Sequence, residues 1–242
     1  MTRGMILFMC LTVTLSLVGQ ETQSEEKVLL KEDFQDLDKW SDFQFENIAE
    51  HSEYETQMLD SITVLKATSD SSASGLLFDQ KFNVHEYPVL RWRWRAENVY
   101  EKGNAWEKSG DDYPIRIYVN FQYDPSRASL VMKAKYQAAK MIYGQFPPHS
   151  GLNYIWSNLH HEDRIITNPF QSRAQMIILE SGADHTGEWR TEQVNILEDY
   201  KAAFGEAPPD TASLGIMNDS DNTGEQSVSY IDFIEIRKTE VE

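Results

Sequence analysis

Two stretches of this chain alternate apolar and polar residues with a period of two, and no other feature limits its folding choices as much. Leu90, Trp92, Trp94 and Ala96 interleave with Arg91, Arg93 and Arg95. Ile115, Ile117, Val119 and Phe121 interleave with Arg116, Tyr118 and Asn120. Successive side chains of an extended strand point to opposite faces, so each stretch is predicted to be a strand with one buried face. Similar patterns predict strands over 62–67, 75–82, 174–179, 189–195, 213–217 and 228–236, with turn signals at 71–75, 110–114, 181–187 and 219–224.

One helix interrupts the strands. Asp124 can cap it and Pro125 suits its first turn, while Leu130, Ala134, Ala138, Met141 and Ile142 share one face and Gly144 can close it. A shorter helix is predicted over 197–204, ended by Gly205. Many spaced strands and few helices predict a mostly β chain: a two-sheet antiparallel β-sandwich, jelly-roll-like, with one inserted α-helix packed on an edge or end.

The first twenty residues differ from the rest. Arg3 is their only charge, and 5–18 is a nearly unbroken apolar run. That length suits the apolar core of a secretory signal better than a membrane span. We therefore expect a signal peptide over 1–20, a polar lead-in over 21–27 and a single sandwich domain over 28–242; the alternative is an anchor that is never removed. Cys10 is the sole cysteine and leaves with the signal. Export without disulfides suits a bacterial periplasm or exterior. The net charge of −17 repels nucleic acid and anionic lipid, so no nucleic-acid partner is expected, and no membrane span remains after cleavage.

Several segments can carry chemistry. Arg91, Arg93 and Arg95 share one face of their strand, and Arg116 lies on the polar face of another; such arginines can hold carboxylates or sulfates bidentately. Cross-strand pairing with Asp and Glu is their commoner fate. Six Trp, eleven Tyr and eleven Phe provide flat faces for sugars. Trp92 and Trp94 read as core, whereas Trp106, Tyr113, Tyr154 and Trp156 are expected in or beside loops, as groove or packing residues. Asp111 and Asp112 beside Gly110 can hold a cation, do acid–base work or simply cap a turn. Asp219, Asp221 and Thr223 alternate toward Gly224 like the start of a calcium loop, but Tyr230 stands where the closing Glu belongs, which excludes an EF-hand and leaves an oxygen cage or a polar hairpin turn. Asp232 is expected on the apolar strand face of Tyr230, Ile234 and Ile236, where it needs a partner. Glu32 or Asp33, on a first strand near Phe34, can supply one if the terminal strands pair. His160 and His161 share a loop with Glu162 and Asp163 and can titrate near neutral pH.

Gly110-Asp111-Asp112-Tyr113-Pro114 with Arg116 and Tyr118, then Leu152-Asn153-Tyr154-Ile155-Trp156, resemble a bacterial exported family, domain-of-unknown-function family 3047. So do 195–200, Phe204-Gly205, Pro208-Pro209 and 219–224, and the resemblance runs from about Phe34 to Ile236. The closing Tyr-Ile-Asp-Phe-Ile-Glu-Ile strand, with an acidic residue near the first strand, also resembles carbohydrate-binding modules of the galactose-binding-like jelly roll. That resemblance implies a structural calcium bridging the terminal strands, held by Glu32 or Asp33 and Asp232. The long helix near 130–141 departs from it.

Three functions remain open at this stage. The first is binding of an oligo- or polysaccharide, anionic if the arginine face is used. Arg93, Asp111, Asp112, Tyr113, Arg116, Tyr118, Asn153, Tyr154 and Trp156 are its candidate ligands, with Asp219 and Asp221 added for calcium. The second is a polysaccharide lyase, for which Arg116, Tyr118, Tyr154 and His160 supply the residue types. The third is an envelope interaction domain that uses the helix or an exposed sheet face.

Overall fold

The structure is a computed structural model that describes residues 27–126, 128–143 and 146–239. The predicted signal, Gly144 and the last three residues lie outside the described residues, as does the side chain of Ile142. In chain order the strands are β1 (Val28–Glu32), β2 (Trp40–Gln44), β3 (Glu53–Leu59), β4 (Ile62–Asp70), β5 (Ala73–Phe78), β6 (Phe82–Asn83) and β7 (Val89–Ala96). After them come β8 (Arg116–Phe121), helix α1 (Leu130–Tyr143), β9 (Ser150–Ser157), β10 (Ile165–Thr167) and β11 (Ala174–Ser181). The chain continues through β12 (Arg190–Asn195), α2 (Ile196–Phe204), β13 (Thr211–Asp219) and β14 (Gln226–Arg237).

The strands form two sheets packed face to face. The six-stranded sheet runs β12-β7-β14-β4-β3, with β1 beside β14; the eight-stranded sheet runs β10-β11-β9-β8-β13-β5-β2, with β6 beside β13. The mostly β sandwich is therefore as predicted, with one departure: β9 and β11 pair parallel. The alternation of β7 turns Trp92 and Trp94 inward, where they meet each other edge to face at 5.3 Å. Tyr154 of β9 lies 5.4 Å from Trp92, and Trp156 lies 6.0 Å from Trp94. All four are fully buried, so these aromatics hold the centre of the interface between the sheets.

Strand β9 corrects the expectation that Tyr154 and Trp156 lie in or beside loops. All eight of its residues are buried. Its inner side meets the main core, and Ile155 on its outer side joins Ala105, Tyr113, Ile166 and Met176 in a second apolar cluster. A strand covered on both faces has no reason to alternate, which is why periodicity does not reveal it.

Helix α2 follows its sequence signals. The Asn195 side chain accepts hydrogen bonds from the backbone N–H of Leu197 (3.0 Å) and Glu198 (3.4 Å), and Gly205 ends the helix at φ 72°. Helix α1 does not start at Asp124. That carboxylate is engaged by the N–H and hydroxyl of Ser126, both at 2.7 Å, which makes a local turn. Ser129 caps α1 instead, accepting from Met132 N–H at 3.2 Å. Leu130, Ala134, Ala138 and Met141, predicted as the packed face, are exposed.

Candidate functional site

The site lies at one end of the outer face of the eight-stranded sheet. The 3-10 turn Lys108–Gly110 delivers Asp111, Asp112 and Tyr113 to the start of β8. Gly110 is required there by close approach: a Cβ would collide with the backbone nitrogen of Asn104, which bonds Gly110 O at 2.8 Å. Arg116 and Tyr118 then project outward from β8. Arg116 stands opposite Ile155 and Met217, and Tyr118 opposite Asn153 and Gly215. The outward alternation of β13 passes through Met217 and ends on Asp219.

Arg116 is the centre of this arrangement and is buried. It forms an ion pair with Asp219, and its NH1 lies 4.0 Å from Asp111 Oδ1. Its guanidinium sits over the rings of Tyr113 (4.9 Å) and Tyr118 (5.4 Å). Asp219 Oδ1 also accepts from Tyr113 N–H at 3.3 Å. Asp111 Oδ2 accepts from Asn168 Nδ2 at 2.8 Å. Asp112 clasps the turn that carries the chain from β13 in one sheet to β14 in the other, so the expected hairpin is instead a crossing between sheets. Asp112 accepts from Asn222 N–H (3.3 Å), Asn222 Nδ2 (2.9 Å) and Thr223 N–H (2.6 Å). Gly224, at φ 68°, lets that connection turn.

Electrostatics follow from four carboxylates around one guanidinium. Burial raises the Asp219 carboxyl well above the usual range; Arg116 opposes the shift, and Asp112, Asp111 and Asp221 reinforce it. Burial likewise raises Asp111, against Arg116 and Asn168, and raises Asp221, with help from Asp112. Burial works against the charge on Arg116, but Asp219 and its other neighbours more than offset that and hold it protonated. The Tyr113 and Tyr118 hydroxyls are also pushed up by burial, which keeps them protonated.

The site keeps unused hydrogen-bonding capacity. Asp111 Oδ1, Arg116 Nε and Asn153 Oδ1 are buried without a hydrogen-bond partner. Such atoms cost roughly 1–3 kcal/mol each unless something satisfies them. Asp112, Asp219 and Asp221 each offer a carboxylate oxygen, and these lie within 4.8 Å of one another, a geometry compatible with calcium.

The structure thus gathers Asp111, Asp112, Tyr113, Arg116, Tyr118, Asn153, Asp219 and Asp221 in one region. It does not bring in the other predicted residues. Arg93 lies on the outer face of the other sheet, bonded to Asp232 at 3.0 Å and seated over the Trp189 ring at 4.9 Å. Tyr154 and Trp156 point into the core. The terminal strands do pair, with Glu32 opposite Ile234. Glu32, however, is buried, taking Phe34 N–H at 2.9 Å and Trp40 Nε1 at 3.3 Å, while Asp33 is exposed. An irregularity between Ile231 and Phe233 shifts the phase of β14, so Asp232 leaves the apolar face it was expected to share with Ile234 and Ile236. Glu32, Asp33 and Asp232 therefore do not converge on one cation.

Nothing in the sequence marked Asn168 or Met217 as site residues, and Asn222 and Thr223 showed only as parts of a loop. Continuing the β13 alternation two residues past Met217 would have put Asp219 on the face of Arg116. Nothing local pointed to Asn168, which reaches Asp111 from a loop 57 residues away.

The fold and site define a two-sheet β-sandwich with a buried arginine–carboxylate cluster on one outer face. The chain belongs to the family described as "Protein of unknown function (DUF3047)", which it matches over residues 38–235. Among solved structures it is similar to the carbohydrate-binding module CtCBM11 (TM-score 0.41, 9% identity, 90% of this chain and 99% of that one). It is also similar to the family 30 carbohydrate-binding module of the cellulosomal cellulase Cel9D-Cel44B of Clostridium thermocellum (TM-score 0.40, 12% identity, 81% and 87%). A third likeness is to the enzymatically active domain of tailspike protein 4 of bacteriophage CBA120 (TM-score 0.39, 8% identity), where 84% of this chain spans 20% of that one. A search of curated proteins gives no match.

Proposed function

We propose that this protein binds a saccharide, and a neutral one, on the outer face of the eight-stranded sheet around Arg116, Tyr118 and Asn153. The observation that carries this reading is the half-buried ring of Tyr118 beside atoms of Asp111, Arg116 and Asn153 that have no hydrogen-bond partner. Sugar hydroxyls both donate and accept, so they suit a mixed set of carboxylate, amide and guanidinium groups. A sugar's C–H face can pack on Tyr118.

The charge balance argues against the anionic glycan suggested by the arginine-rich sequence. Four carboxylates face one guanidinium at the site. The stripe that suggested anions is already paired: Arg91 with Glu235 (3.3 Å), Arg93 with Asp232 (3.0 Å) and Arg95 with Glu97 (2.7 Å). The lyase set is not assembled either, since Tyr154 points to the opposite side of the sheet from Arg116, and His160 is exposed, facing Asp184 at 3.5 Å. Calcium belongs to this reading as a structural ion at Asp112, Asp219 and Asp221, where it would relieve carboxylate repulsion and brace the turn after β13. Export through the signal at 1–20 would place the site where bacterial glycans occur.

Titration calorimetry against neutral and acidic oligosaccharides tests the proposal. Saturable binding of a neutral sugar is expected, weakened about tenfold or more in Asn153→Ala and in Tyr118→Ala. Failure of every neutral sugar to bind, or affinity unchanged in both variants, would overturn it.

A further inference from the structure

Helix α1 presents an apolar arc to solvent. Leu130, Val131 and Met141 are 84%, 81% and 88% exposed. The helix docks instead through Tyr136, whose ring stacks on Tyr123 at 3.7 Å and whose hydroxyl donates to Pro148 O at 3.3 Å. At about 100° per residue, Leu130, Met141, Ala134, Ala138 and Val131 fill an arc of about 100°, and Tyr136 lies on the opposite side. Lys135 borders one flank of the arc and Lys133 lies beyond Gln137 on the other, while Lys140, nearer the docked side, sets its ammonium over the Phe146 ring at 4.8 Å. The helix contains three lysines and no acidic residue, in a chain whose net charge is −17.

We infer that α1 is a docking element for an anionic lipid surface. The pattern is that of a helix lying in the plane of a membrane interface: the apolar arc enters the acyl boundary and lysines on both flanks reach the headgroups. At 14 residues, about 21 Å, it is too short to cross a bilayer, and no helix among the described residues is long and apolar enough to do so. The acidic body is repelled by the same surface, which would hold the protein to a shallow contact through α1. A second copy is a poorer occupant, because helix against helix would set lysines against lysines. An anionic surface complements both the charge and the apolarity of this face.

The test places an environment-sensitive fluorophore on the full chain at Ala138→Cys in a Cys10→Ser background, so that the readout is local to α1 and independent of the N-terminal apolar run. Phosphatidylglycerol-containing vesicles should shift its emission to the blue, and vesicles of phosphatidylcholine alone should do so less. The double variant L130E/M141E should abolish the shift, and each of K133Q and K135Q should lower vesicle affinity by up to about fivefold. All these positions are at the helix surface, and circular dichroism confirms that the variants fold. The inference is overturned if the label stays in water with both vesicle types, or if the two types act equally. A blue shift that grows with protein concentration in the absence of vesicles would overturn it too, in favour of self-association.

Discussion

Both sheets carry arginines on their outer faces, but they use them differently. On the six-stranded sheet the side chains of Arg91, Arg93 and Arg95 keep 36%, 36% and 23% of their surface exposed, each with an acidic partner at the rim. On the eight-stranded sheet the Arg116 side chain keeps 5%, with Asp219 at 2% and Asp111 at 6%. The strand pattern around the two sets is the same. The difference is what covers them: the segment leading into β8 lays Ala105 and Tyr113 over the outer side of β9 and β11 and closes water out near Arg116. Charges in water are screened and nearly free to part, whereas enclosed charges depend on every partner.

Arg116→Met and Arg93→Met should differ more than any other pair of substitutions on the two sheets. Loss of Arg116 strands buried carboxylates and should cost about 3–5 kcal/mol in urea unfolding. Equal losses for the two would show that the enclosed cluster behaves like a surface pair. Next in size, Asp112→Ala should cost about 2–3 kcal/mol, because the N–H of Thr223 and the amide of Asn222 lose their acceptor. An unchanged denaturation midpoint would show that the turn between β13 and β14 needs no clasp. On the exposed side, Arg93→Met should cost about 0.2–1 kcal/mol, less still in high salt.

The smallest effect sharpens the electrostatic contrast. A carboxyl whose folded pKa is raised binds its proton more tightly in the folded than in the unfolded chain. Its contribution to stability is therefore most favourable at low pH and declines as pH rises from about 4 through the raised value. Removing the half-buried Asp221 carboxylate by Asp221→Asn should raise the neutral-pH melting temperature by about 1–2 °C, and the gain should vanish below about pH 4. A melting profile parallel to that of the parent at every pH would refute the raised value. With calcium added, the parent should gain stability and Asp221→Asn should gain less.

Strands with one wet face were legible in the sequence, because water on one side and core on the other impose alternation. That accounts for β4, β7, β8 and β14. It also explains why β9 escaped: with Leu152, Tyr154 and Trp156 in the main core and Ile155 under the second cluster, no wet face marks it. The candidate site was half legible. Asp111, Asp112, Tyr113 and Arg116 are close in sequence, and a glycine turn leading into a strand announces them. Asp219 was seen as a member of a loop but not as the partner of Arg116, since that pairing depends on β13 lying beside β8.

The sequence by itself determined the β class, both helices and the polar loops, because those depend on neighbours a few residues apart. Tertiary structure alone decided which arginine is buried, that Tyr154 and Trp156 join the core and which face of α1 is bare. These depend on which segments cover a face, and contacts between residues far apart in the chain leave no period to read. A one-residue irregularity in β14 was enough to turn Asp232 away from the core and toward Arg93.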